Sequence, residues 1–193
     1  MHHQGSKMRK KLLVICGISG SGKSTLEANL ISEYPEVFHK WQQITSRKPR
    51  AYERMGDPYV FVERDTFLHM KDVLIGRLGL AQDSLFKDYY GSIPDYVDGK
   101  VSTVILAEEA ILDIKKELSN GDLVIDDLFI LGLSVDYNDL DAKDLRENRD
   151  KTFLEKEKSV LQYANYIFSP NENGKYIAPK EVINLLKEHK FLN

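Results

Sequence analysis

The sequence is poor in cysteine and tryptophan, with one of each among 193 residues. A lone cysteine, Cys16, excludes an intrachain disulfide and a cysteine-based zinc site, as is typical of proteins from a reducing compartment. Long hydrophobic runs are also absent: strictly apolar stretches such as Leu12–Cys16 are far below the ~20 residues that a membrane-spanning helix needs. These absences predict a cytoplasmic protein without a membrane partner.

The chain also lacks an excess of charge of either sign. Its 27 basic and 30 acidic residues give a net charge of −3, so there is no global nucleic-acid footprint. A hydrophobic content of 42 % argues against disorder. Met1–Ser6 is typical of a tag remnant and is set aside. The length then predicts a single domain over residues 7–193, since domains hold roughly 150 residues.

Strand-like and helix-like segments alternate along the chain. Lys11–Cys16 is apolar and ends at Gly17, which predicts a buried parallel strand. Ser24–Tyr34 carries a helical apolar stripe that ends before a proline. Further predicted strands are Val101–Leu106, one or two within Leu123–Leu133, and Tyr166–Phe168; further helices are the stripe Ile111, Ile114 and Leu118, and Pro179–Lys190. This alternation predicts an α/β fold with a mainly parallel sheet flanked by helices.

The middle of the chain breaks this alternation. Gln42–Thr45 and Tyr59–Val62 resemble short strands, and Asp65 can cap a helix that continues to about Leu78. The following segment, Ala81–Gly99, is aromatic and rich in turns.

Residues 17–24 match the spacing G-x-x-x-x-G-K-[ST] between a predicted strand and a predicted helix. Glycines let successive N–H groups turn toward phosphate oxygens, and the helix adds its positive N-terminal end. Lys23 supplies a charge for the β- and γ-phosphates, and the Ser24 hydroxyl can ligate Mg²⁺. A flexible glycine-rich turn is the alternative. The candidate ATP-binding residues are Gly17, Ser19, Gly20, Ser21, Gly22, Lys23, Ser24 and Thr25.

A basic turn follows at Thr45–Arg50. Residues 40–64 hold six basic and three acidic residues, a local excess of positive charge in an acidic chain. The planar guanidinium groups of Arg47 and Arg50 suit phosphate because each can donate two hydrogen bonds at once. By itself, such a turn can also be solvated surface.

Four stretches in this order resemble the guanylate kinase family of nucleoside monophosphate kinases: Ser19–Thr25, Thr45–Arg50, Gly56–Val62 and Tyr89–Ser92. The resemblance covers roughly residues 11–92. It implies a P-loop core over about residues 7–40 and 100–193. The resemblance also implies two segments inserted in this core: a monophosphate-binding segment, about 41–99, and a short lid, about 136–152.

The resemblance also implies roles for individual residues. The acceptor monophosphate would be bound by Arg47, Arg50, Tyr59, Tyr90 and Ser92. The lid would contribute Arg146 and Arg149, with Lys158 where the family usually has a further arginine, and together with Lys23 and Arg47 these two arginines are the catalytic candidates. A solvated helix face with ion pairs such as Glu147–Lys151 is the alternative for the lid segment.

The base-reading positions depart from the family. Gln43 stands in place of the family's serine, and the family's guanine-reading glutamate falls near Gln82, with Asp83 as a possible substitute. The family's acidic motif at a strand end aligns with Ala107–Glu109, which makes Glu109 the favoured acid near the metal or the base, and Asp126 the alternative. Either acid can instead be a solvated strand-end carboxylate. The base-binding candidates are Gln43, Gln82 and Glu109.

The expected function is ATP- and Mg²⁺-dependent transfer of the γ-phosphoryl group to a nucleoside monophosphate, with GMP or dGMP as the leading acceptor by resemblance. An acceptor phosphate is already ionised at neutral pH, so transfer needs positioning and charge neutralisation rather than a general base. The alternatives are a kinase for another nucleoside monophosphate or phosphorylated small molecule, and a non-catalytic guanylate-kinase-like binding module. Neither the oligomeric state nor protein partners can be predicted from the residues.

Overall fold

A computed structural model describes residues 9–51, 53–56, 58–84, 86–134, 155, 158–169 and 177–193. The predicted lid, about 136–152, lies outside the described residues, and so do Arg146, Arg149 and Met1–Ser6. None of the helices in these ranges is long and apolar enough to cross a membrane.

The elements are numbered along the chain. The strands are β1 (Lys11–Gly17), β2 (Phe38–Lys40), β3 (Gln42–Thr45), β4 (Tyr59–Phe61), β5 (Ile75–Leu78), β6 (Tyr90–Ile93), β7 (Val101–Ile105), β8 (Asp127–Leu133) and β9 (Tyr166–Phe168). The α-helices are α1 (Lys23–Glu33), α2 (Arg64–Met70), α3 (Glu108–Asn120) and α4 (Pro179–Glu188), and short 3₁₀ helices span Lys71–Val73 and Val160–Tyr163.

The first sheet has the order β2-β7-β1-β8-β9, and all its neighbouring strands are parallel. The central strand β1 is buried on both faces because its side chains alternate between two cores. Leu12 and Val14 pack in one core with α3, and Leu13 and Ile15 pack in the other with α1 and α4. The protein is therefore an α/β fold with a parallel sheet flanked by helices, as predicted.

The second sheet has the order β4-β3-β6-β5 and draws all its strands from the middle of the chain. β3 pairs parallel with β4, while the other two pairings are antiparallel. Strand β5 packs on helix α3, where Arg77 makes a two-pronged ion pair with Asp113 and a further one with Glu117. This contact joins the second sheet to the middle and the last turns of a helix that belongs to the core.

Several predicted elements are confirmed: β1, α1, β3, β4, β7, α3, β9 and α4. The predicted helix from Asp65 to about Leu78 is wrong, because α2 ends at Met70 and residues 75–78 form β5. Gly76 has a φ of +58°, which a helix cannot accommodate, and β5 pairs with β6 while packing on α3. Tertiary pairing has overridden the local apolar pattern.

Candidate active site

The glycine-rich loop leaves the carboxyl end of β1 and leads directly into α1. Gly17 has a φ of +141°, and a Cβ at this position would lie 2.3 Å from the backbone oxygen of Leu133 on the neighbouring strand. Gly22, with a φ of +85°, precedes the first residue of α1. Both positions require glycine, so the loop is held close to the sheet with the N-terminus of α1 at its end.

Two polar groups of this loop are suited to phosphate oxygens. The Nζ of Lys23 donates to the backbone oxygens of Gly17, at 2.8 Å, and Ile18, at 2.5 Å. The hydroxyl of Ser21 is buried and has no hydrogen-bond partner among the residues the structure describes. A lysine folded back over the loop and a buried hydroxyl with unused hydrogen-bonding capacity fit a bound triphosphate.

Few of the described side chains near the phosphate loop could ligate Mg²⁺. Ser24, in the first turn of α1, is exposed, as is Thr25. Within the described ranges, His, Cys, Asp and Glu side chains form no cluster of three that could hold a metal ion. The Ser24 hydroxyl is the group of this loop that could ligate a Mg²⁺ ion bound together with nucleotide phosphates.

A cleft of about 690 Å³ lies between the phosphate loop and the second sheet. Lys23 and Gly17 line it from the loop, and the first turn of α3 adds Glu108 and Glu109. From the middle of the chain, the lining includes Gln43, Tyr59, Asp83, Ser84, Phe86 and Tyr90. The structure thus brings the predicted triphosphate loop and several predicted acceptor residues to one cavity.

Arg47 is fixed by an ion pair that the sequence reasoning missed. Its Nη1 and Nη2 donate to the two carboxylate oxygens of Glu53 at 2.6 and 2.7 Å, and its guanidinium lies 5.3 Å from the ring centroids of both Tyr59 and Phe61. Glu53 also accepts the backbone N–H of Arg50 at 2.8 Å. Arg47 and Arg50 do not themselves line the cleft, but Arg47 contacts Tyr59, which does.

The remaining monophosphate candidates lie close to this cluster. The rings of Tyr59 and Tyr90 meet edge-to-face with centroids 5.8 Å apart. Ser92 pairs with Gln43 across β6 and β3, and its buried hydroxyl has no hydrogen-bond partner in the described part of the chain. Gln43 donates from Nε2 to the backbone oxygen of Ile105. Arg47, Tyr59 and Tyr90 are thus linked by ring contacts, and Glu53 binds both Arg47 and Arg50. Ser92 lies on the other side of Gln43 from Tyr59 in the sheet.

The structure separates the acidic candidates. Glu109 lines the cleft, but its two oxygens accept hydrogen bonds from the Gly79 N–H and the Ser84 hydroxyl. Gln82 is exposed and does not line the cleft, whereas Asp83 does. Of the two predicted side chains in this loop, Asp83 rather than Gln82 therefore lies at the cleft.

The alternative metal-side acid, Asp126, is at the wrong edge of the sheet. It precedes β8 instead of ending a strand, and its Oδ2 accepts the backbone N–H of Lys10, just before β1 begins. Because the strands are parallel, Asp126 is separated from the phosphate loop by the whole length of β1, roughly 20 Å for seven residues.

Glu53→Gln is expected to lower the free energy of unfolding by about 1–3 kcal/mol, since it removes the charge that Arg47 faces in a largely buried pair. Arg47 holds the pKa of Glu53 at about 2, below its ordinary value of 4.5. The wild-type chain therefore has this stabilisation in full above pH 4.5 and loses it as the pH falls toward 2, while the variant lacks that part of the pH dependence. Urea unfolding of both proteins between pH 7 and 3 measures the difference; parallel curves would contradict the ion pair.

Comparisons with known proteins identify the family to which the chain belongs. The guanylate kinase family model matches residues 9–169. The chain is 34 % identical over 119 residues to a guanylate kinase of Chlamydia muridarum, covering 59 % of this chain and 57 % of that protein. It is 38 % identical over 101 residues to one of Synechococcus, covering 51 % and 48 %. The chain thus spans about half the length of the curated relatives it matches.

Among solved structures, the guanylate kinase of Anaplasma phagocytophilum superposes with a TM-score of 0.61. The superposition covers 96 % of this chain and 88 % of that protein. Because the two sequences are only 13 % identical, it supports a shared fold alone. The family model, which spans most of the chain, decides the classification. This chain belongs to the guanylate kinase family.

Proposed function

We propose that this protein transfers the γ-phosphoryl group of ATP to a nucleoside monophosphate, with GMP or dGMP as the acceptor. The observation that carries the proposal is the shared cleft: Lys23 of the phosphate loop and Tyr59 and Tyr90 of the second sheet line the same cavity. A donor site and an acceptor site that face each other across one cavity are what direct transfer between two bound phosphates requires.

On the donor side, the loop residues 17–25 would hold the triphosphate. Their N–H groups and the N-terminus of α1 supply fixed partial positive charge, and Lys23 exchanges its two backbone acceptors for phosphate oxygens. The Ser24 hydroxyl would help to hold Mg²⁺, which would neutralise phosphate charge. Arg146 and Arg149 stay predictions for the same task.

On the acceptor side, residues 41–99 would bind the monophosphate. Glu53 accepts hydrogen bonds from Nη1 and Nη2 of Arg47. The edge of the guanidinium that carries the Nε–H group can therefore still donate to a phosphate. Tyr59 and Tyr90 add hydroxyl donors at the cleft, and Arg50 is close to the same cluster. The residues position an oxygen that already carries its charge, so the protein needs no general base.

The part of the cleft that would face the base is rich in hydrogen-bond acceptors. Asp83 and Gln43 line the cleft, and Gln43 uses its amide nitrogen to bind Ile105, which leaves its oxygen as an acceptor. Guanine presents two neighbouring donors, N1–H and the 2-amino group, whereas adenine presents an acceptor at N1. Acceptor side chains therefore favour guanine, because adenine would leave the buried Gln43 oxygen and the Asp83 carboxylate without the donors that guanine supplies.

ADP release in a coupled assay, measured over all common ribo- and deoxyribonucleoside monophosphates, tests the proposal. GMP or dGMP is expected to give the highest kcat/KM. Turnover of only a pyrimidine nucleotide would overturn the assignment of guanine while leaving the kinase in place. Binding of GMP without any ADP release would instead indicate a non-catalytic binding module.

A further inference from the structure

The carboxylate of Glu109 is already used within the protein. It lies in the first turn of α3, where the helix N-terminus favours a negative charge. Its Oε1 accepts the backbone N–H of Gly79 at 3.0 Å, and its Oε2 accepts the hydroxyl of Ser84 at 2.7 Å. Each oxygen therefore binds a different point of the same loop.

That loop is also closed by its own contacts. The Ser84 N–H donates to the oxygen of Ala81 at 3.1 Å, and the Ser84 hydroxyl accepts the N–H of Phe86 at 3.2 Å. A Cβ on Gly79 would lie 2.3 Å from the backbone oxygen of Asp88, so the two ends of the loop touch. Glu109 connects this closed loop to α3 by hydrogen bonds.

The loop residues next to the Glu109 contacts form one wall of the cleft. Ala81, Asp83 and Ser84 all line it, together with Phe86 just beyond. Asp83 itself has no hydrogen bond or ion pair within the described residues. The loop thus places the Asp83 carboxylate at the cavity. The Glu109 carboxylate, in contrast, already accepts two hydrogen bonds from the loop.

We propose that Glu109 is a positioning residue for the acceptor base: it fixes residues 79–84 against α3 and thereby sets Asp83 at the cleft wall. This assignment rests on the proposed function for its substrate and replaces the expectation that Glu109 itself reads the base. A preorganised wall binds more tightly because its ordering is complete before the ligand arrives.

A double-mutant cycle tests this brace, the attachment of residues 79–84 to α3 through Glu109. Glu109→Gln and Ser84→Ala are each expected to raise the KM for GMP about 3- to 10-fold, without changing the KM for ATP, because each loosens the same contact. The double variant is expected to match Glu109→Gln alone, since Ser84→Ala removes one of the two contacts that the Glu109 carboxylate makes with the loop. Glu188→Gln, at an exposed position of α4, and Ser119→Ala, at an exposed position of α3, are the matched controls.

Effects of the two single substitutions that add up in the double variant would overturn the proposal and show that Glu109 acts on the substrate independently of Ser84. Hydrogen exchange provides a readout that does not depend on activity. Exchange in residues 79–84 is expected to become at least tenfold faster in Glu109→Gln, with the rest of α3 unchanged, and unchanged exchange in the loop would overturn the brace. Wild-type protein without activity on any monophosphate would refute the proposed function, and the exchange result would still decide the brace.

Discussion

Replacing Lys23 with alanine is expected to lower kcat for phosphoryl transfer by roughly 10²–10³-fold, the cost of removing one preorganised charge from a developing anionic transition state. In the structure its Nζ already lies on the phosphate loop, bound to the backbone oxygens of Gly17 and Ile18. The lysine therefore needs little rearrangement to reach a phosphate. Its loss removes the positive charge while the loop, which is held by its glycines, remains in place.

Initial rates of ADP release under saturating ATP and acceptor measure this effect. Lys187→Ala, an exposed lysine of α4, is the matched control and should retain wild-type rates. Circular dichroism and thermal unfolding of the Lys23 variant should remain close to wild type, since its side chain is not part of either core. An unchanged rate in a folded Lys23→Ala protein would refute the donor site.

Replacing Arg47 with lysine is expected to raise the KM for the acceptor monophosphate about 10- to 100-fold, because a lysine keeps the charge but loses the two-pronged geometry. In the wild-type protein, Glu53 fixes one end of the guanidinium, and the rings of Tyr59 and Phe61 flank it. A single ammonium group cannot keep the paired hydrogen bonds to both Glu53 oxygens and also offer a second planar pair of donors to a phosphate. The KM for ATP is expected to change little, since the hydrogen bonds and ring contacts that the structure describes for the Arg47 side chain all fall within residues 48–61, outside the phosphate loop.

Steady-state kinetics with each substrate varied in turn separate these two constants. Arg9→Lys is the matched control, because Arg9 pairs with Asp127 at an exposed site away from the cleft. A proportional rise in both KM values, or an unchanged KM for the acceptor, would place the monophosphate elsewhere.

The parts of the fold with a strong local signal could be predicted from the sequence. The apolar run that ends at Gly17 and the following G-x-x-x-x-G-K-S spacing predict a strand, a loop and a helix, and these are what residues 11–33 form. Likewise, Gly121 after a helical stripe predicts the end of α3, where it adopts a φ of +80°. Such elements depend on neighbours in sequence.

The parts that depend on distant contacts could not be predicted. Strand β5 has an apolar pattern compatible with a helix, and only its pairing with β6 and its packing on α3 decide its conformation. The pair of Arg47 with Glu53 crosses a turn, and no periodicity marks it; a glutamate three residues after Arg50 in a basic segment was the available signal. Asp126 had a plausible sequence context, but the parallel register puts it at the opposite edge of the sheet.

Transfer of label from ATP with a radioactive γ-phosphate to GMP, followed by separation of the nucleotides, tests the central claim most directly. The account predicts that the label appears in GDP in an amount equal to the ADP formed, and that both products disappear in Lys23→Ala. Label that appears only in inorganic phosphate, or that stays in ATP while each common nucleoside monophosphate is present, would contradict it.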